Sequence, residues 1–146
     1  MPRIQLAAIL VSVAGIAVSM YLTALHYAGV APACPATGPI NCEAVLSSSY
    51  AVIAGTSVPT SMLGIVWFGV SAVLWTQRFG WTQLAWSGAG MLAVLYLVFL
   101  EIVRLGTICL WCTATHVLVV AIALIAVTAW SSESARKPSS ASAGSR

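Results

Sequence analysis

The chain has 146 residues, 60% hydrophobic and only 6% charged, with a net charge of +3. Soluble domains carry roughly a quarter charged residues, so this composition excludes a water-facing surface and makes the bilayer the expected solvent. The small positive charge gives no argument for a nucleic-acid partner, none is expected, and it falls mostly on segments where lysine and arginine orient membrane proteins.

The first apolar run, Leu6–Ala28, follows Arg3. It is longer than a signal-peptide core of roughly 7–15 residues, and Ala31-Pro32-Ala33 is a poor cleavage site, so it reads as a retained anchor. Gly29 and Pro32 close it. Residues 29–60 then form a long connection, which in a compact protein marks function or disorder. Within it Asn41 is positioned to cap a short amphipathic helix running from Cys42 to about Tyr50.

Three more apolar runs follow: Ser61–Gln77, Leu84–Leu105 and Ile108–Trp130. A crossing helix needs about 20 residues, with about 17 as the lower limit, so the second run is the shortest candidate. The predicted fold is therefore an all-α integral membrane protein. It is a four-transmembrane-helix bundle, one catalytic domain over 1–130, whose outer loop carries a short helix. Residues 131–146, rich in serine and alanine, read as a disordered tail.

An even number of spans puts both termini on one side. Arg3, Arg78, Arg136, Lys137 and Arg146 fall there, and Arg104 falls opposite. The positive-inside rule makes that side cytoplasmic and the 29–60 loop external. Trp75, Trp81, Trp86 and Trp130 then lie near the inner boundary, and Tyr27, Tyr50 and Trp111 near the outer one, where aromatic anchors are expected. Gly15-x-x-x-Ser19 and Gly64 favour close helix approach.

This topology gathers all four cysteines at the outer end, where disulfides are permitted. Cys109-Leu110-Trp111-Cys112 is a C-x-x-C opening the last helix. Unsatisfied amides and the helix dipole at that position favour the reactive thiolate. Cys34 and Cys42 form a second pair on the loop. A mobile pair beside a membrane-embedded pair suits a two-stage thiol relay, in which the pairs must touch. Two other uses of four cysteines compete. A structural zinc is one, although Cys34 and Cys42 are spaced too widely for a usual zinc knuckle. A non-catalytic membrane scaffold with two structural disulfides is the other.

Taken together, these residues resemble the vitamin K epoxide reductase family, in particular its bacterial members. The resemblance rests on the loop Cys34-x7-Cys42, Ser48 six residues on, the return into the second span at Val58-Pro59-Thr60-Ser61-Met62-Leu63-Gly64, and Cys109-x-x-Cys112. It implies a quinone, menaquinone or ubiquinone, as electron acceptor near the outer leaflet, and no metal. It also implies a separate thioredoxin-like partner that inserts disulfides into exported proteins, in a bacterial inner membrane. By position, Cys34 exchanges with the partner, Cys42 passes electrons to Cys109, and Cys112 reduces the quinone. The same resemblance places Ser48, Thr60 and His116 at the quinone. Vertebrate members have asparagine where Thr60 stands and tyrosine where His116 stands. Quinone reduction is therefore expected, with vitamin K quinone or epoxide reduction as the alternative. Quinones are stronger oxidants than protein dithiols, which sets the direction of flow.

His116 lies one turn beyond Cys112 on the same helix face, placed to bond a quinone carbonyl or move its proton. Glu101 and Arg104, at i,i+3, read as a local ion pair, with proton handling by Glu101 as the alternative. His26 reads as interfacial.

Overall fold

The computed structural model describes residues 3–35 and 37–136. The helices are α1 (Arg3–Ala28), α2 (Cys42–Leu46), α3 (Thr60–Thr76), α4 (Trp81–Phe99) and α5 (Leu110–Arg136). A π-helical segment, Leu100–Leu105, continues α4. Among the described residues there are only two isolated β-bridges and no strand.

Three helical stretches are long and apolar enough to cross a membrane: Arg3–Ala28, Trp81–Leu105 and Leu110–Ala135. The protein is all-helical and fits an integral membrane protein. α3 is equally apolar but has 17 residues; at 1.5 Å per residue that is about 26 Å, against a hydrocarbon core of about 30 Å. The helices are apolar on every side rather than on one stripe, as lipid-facing helices are. Leu10, Val66, Val73, Leu92, Leu95, Val117 and Leu124 point outward, while Ser12, Ser19, Ser71 and Ser87 are buried.

Small residues set the packing. α1 lies most extensively on α3, and α5 is packed against both α1 and α4. A Cβ added at Gly15 would run into the Phe68 ring, and one at Gly64 into Ser19. These glycines therefore fix how closely α1 and α3 cross. α3 and α4 touch less than these pairs do; their turn is stapled by Gln83, whose amide donates to the carbonyls of Leu74 and Arg78 and accepts from the Gly80 amide.

The core is layered along the bundle. Ala8, Trp75, Ala126 and Ala129 pack at the end where α1 starts and α5 finishes. Phe68, Val94, Val119 and Ile122 fill the middle. Cys42, Val45 and Cys109 form the opposite end.

Several expectations need correction. α5 runs to Arg136 rather than giving way to an irregular tail at 131. Ser131 and Ser132, still helical, direct their hydroxyls to the carbonyls of Val127 and Thr128, four residues back. The rest of the expected tail lies outside the described residues. The loop helix is shorter than expected and ends at Leu46. Asn41 does cap it, accepting from the Ala44 amide at 3.0 Å. Trp75 and Trp86 are not interfacial anchors. Trp75 is in the core, and Trp86 donates to the Ser71 hydroxyl at 3.0 Å. Trp81 and Trp130 are exposed and meet edge to face.

Candidate redox site

Two irregular segments meet at the cysteine end. Ile40 and Ile108 form a parallel β-bridge: the Asn41 amide donates to the Ile108 carbonyl at 3.1 Å, and the Ile108 amide to the Pro39 carbonyl at 2.8 Å. Trp111 adds a third tie, its indole N–H donating to the Ala33 carbonyl at 3.1 Å. The ring of Trp111 rests against Tyr21, with centroids 4.9 Å apart. The residues flanking the loop cysteines are thus fastened to those flanking the C-x-x-C.

Inside this clamp the sulfurs follow one another from the loop to α5. Cys34 is half-buried and joined to Cys42 by a disulfide, with Cα atoms 6.1 Å apart. Cys42 is 1% exposed and Cys109 fully buried. The Cys42 sulfur accepts from the Leu110 amide at 3.3 Å, in the first turn of α5. Cys109 and Cys112 are not bonded to each other, and their sulfurs stand 2.6 Å apart. The Cys109 sulfur also accepts from the Cys112 amide at 3.2 Å. Free helix-start amides therefore point at both central sulfurs, as an anion-stabilising site requires.

Cys112 opens onto a cavity of about 510 Å³ between α1, α3, α4 and α5, roofed by the loop. This is the size range of small-molecule sites. Its walls are largely apolar, including Leu22, Leu63, Trp67, Val94 and Val119. Gly90 leaves room for Trp67, whose ring a Cβ there would strike. Ser48, Thr60, Glu101, Thr115 and His116 also line it.

The polar groups are not equivalent. Ser48 donates to the Val45 carbonyl at 2.7 Å, Thr115 to the Cys112 carbonyl at 2.7 Å and Thr60 to the Tyr50 carbonyl at 3.3 Å. Their hydroxyl hydrogens are engaged, leaving lone pairs for a ligand. His116 is 8% exposed and its ring has no hydrogen-bond partner among the described residues. Such a group is unusual in a finished interior and is the kind a ligand completes.

The expected Glu101–Arg104 ion pair does not form: Glu101 is buried and Arg104 exposed. The π-helical turn is wider than an α-turn, so i,i+3 neighbours no longer share a face. The sequence signal that could have placed Glu101 is an acid inside an apolar run. His26 also lines the cavity. Among the described residues no three His, Cys, Asp or Glu side chains converge as a metal site would require.

A model described as the vitamin K epoxide reductase family matches residues 6–127, a stretch that includes all four cysteines. No curated protein matches the chain.

Proposed function

The chain belongs to the vitamin K epoxide reductase family, which is one of membrane thiol–disulfide oxidoreductases, and on that premise we propose that it passes electrons from a reduced thioredoxin-like protein to a membrane quinone. It thereby sustains disulfide formation in exported proteins. The observation that carries the reading is the order of the sulfurs, from half-buried Cys34, through buried Cys42 and Cys109, to half-buried Cys112 on the cavity wall.

The thiol steps follow from that order. The partner's dithiol reduces Cys34–Cys42 by way of a mixed disulfide with Cys34, and leaves as a disulfide. The Cys42 thiolate attacks the Cys109 sulfur of an oxidised Cys109–Cys112 pair, releasing Cys112 as a thiol. Cys34 then attacks Cys42, re-forms Cys34–Cys42 and frees Cys109. Two electrons have moved to the helix pair. A quinone, when bound, supplies the two-electron, two-proton acceptor. The apolar walls suit it, and the unpartnered His116 ring is available to donate to a carbonyl oxygen. Ser48 and Thr60, whose hydrogens are engaged, accept from the product's hydroxyls instead. Vertebrate relatives have tyrosine and asparagine where His116 and Thr60 stand, which favours quinone over epoxide as acceptor.

The same reading makes α3 the fourth span, the residue 29–60 connection external, and both termini cytoplasmic in a bacterial inner membrane. Reporter fusions beyond Arg136 and in the α3–α4 turn should read cytoplasmic, and one near Pro39 external. An external tail would overturn this topology. The functional test combines the purified protein, a reduced thioredoxin-like oxidase and menaquinone or ubiquinone. Quinol should form with one partner disulfide made per quinol. A scaffold with structural disulfides would produce none.

A further inference from the structure

Glu101 is 7% exposed, sits in the cavity wall and belongs to the six-residue π-helical segment. It shares the cavity wall with Cys112 and His116, and its backbone carbonyl accepts from the Thr107 amide at 3.2 Å, two residues before Cys109. Arg104, its nearest basic residue in sequence, is exposed. A carboxyl group held among apolar side chains with no cation is costly, and within a membrane segment it marks function. π-Helical turns concentrate at functional sites. Gly106, in the left-handed region at φ 62°, ends the segment and lets the chain turn into the clamp that holds Cys109.

We propose that Glu101 is a catalytic proton carrier for the Cys109–Cys112 pair. The assignment rests on the quinone reading above. As the S–S bond of the pair forms, two thiols lose two electrons and two protons. The acceptor gains the same two electrons, and its two oxygens gain the same two protons. Glu101 takes one thiol proton and delivers it to an acceptor oxygen across the cavity, ending in the form in which it began. His116, one turn beyond Cys112, serves the other oxygen. Cys109, Cys112 and His116 on the α5 side, His26 of α1, Tyr50 of the connection and Tyr96 of α4 are the titratable groups that border this space.

The test separates the pair's chemistry from turnover. The full-length protein in nanodiscs is first reduced by a small dithiol with no quinone present. Infrared difference spectra should show a carboxyl band that responds to reduction of the pair and is missing in Glu101→Gln. Menaquinone is then added to the reduced protein. Glu101→Gln should slow oxidation of the pair by about 100-fold, within the usual reach of general acid–base catalysis. It should leave dithiol exchange at Cys34–Cys42 unchanged and lose one limb of the pH profile. Glu101→Asp should recover part of the rate and that limb. Unaltered quinone reduction in Glu101→Gln, or no responsive carboxyl band, overturns the assignment. Slowed dithiol exchange in Glu101→Gln would also overturn it, by marking a structural role. A wild-type protein whose carboxyl band responds but which reduces no quinone would instead overturn the quinone reading and leave the link between Glu101 and the pair standing.

Discussion

The two cysteine pairs are built on opposite plans. Cys34 lies in irregular chain and is half-buried, while its disulfide partner Cys42 opens the five-residue α2 of the connection. Cys109, buried just before the 27-residue α5, and Cys112, half-buried in its first turn, face the inside of the bundle. On the proposed reading a protein partner engages the first pair and a lipid-soluble acceptor the second. The difference teaches where rigidity is placed: not in the loop itself, but in the ties that fix the loop to the start of α5.

The largest effect should come from removing the deep end of the series. Cys112→Ser should abolish quinone reduction and trap a Cys42–Cys109 disulfide: the free Cys109 attacks Cys42 of the loop disulfide and releases Cys34, and no Cys112 thiol is left to displace Cys42 from Cys109. With a protease site in the α3–α4 turn, the cleaved halves should stay joined only without reductant. Replacing Cys42 or Cys109 as well should release them. Release on loss of Cys34 instead would reverse the roles within the loop pair.

His116→Ala keeps all four sulfurs and removes the unpartnered ring. It should slow acceptor reduction by about 10- to 100-fold, the loss of a proton donor or charge-stabilising contact. Exchange between Cys34–Cys42 and the partner should not change. Equal kinetics for both proteins would make His116 a packing residue.

Trp111→Phe probes the join between the two plans. It keeps the ring against Tyr21 but deletes the hydrogen bond to Ala33. One such bond is worth about 1 kcal/mol, so transfer between the pairs should slow by roughly fivefold. An unchanged rate of Cys109–Cys112 reduction would show that the β-bridge alone holds the register. Thr60→Val should do least. Its hydroxyl is directed to Tyr50 rather than into the cavity, so KM for quinone should shift by less than about threefold, the scale of one modest hydrogen bond.

Much of this was legible in the residues. Apolar length located the helices, Asn41 announced the cap of α2, and the C-x-x-C at a helix start could be read directly. Ser48, Thr60 and His116 do border one cavity with Cys112. What escaped sequence reading depends on tertiary pairing. The Ile40–Ile108 bridge joins two irregular segments that carry no periodicity, so nothing local reports it. The π-helical segment has the composition of an ordinary helix, which is why Glu101 and Arg104 read as neighbours on one face. The Ser/Ala-rich composition from residue 131 read as a disordered tail, yet α5 continues to Arg136, with the Ser131 and Ser132 hydroxyls bonded back onto it.

The clamp also has a consequence for biogenesis. Cys42 and the Leu110 amide that it meets are 68 residues apart in sequence. During synthesis the loop therefore emerges well before α5, and α3 and α4 must both be made in between. Until the last helix arrives, the loop cysteines have no dock and no route to an acceptor. A ribosome stalled after α4 would display a loop pair able to exchange disulfides with its surroundings but unable to send electrons onward. On the proposed reading, electron transfer to an acceptor is thus withheld until the final helix is inserted.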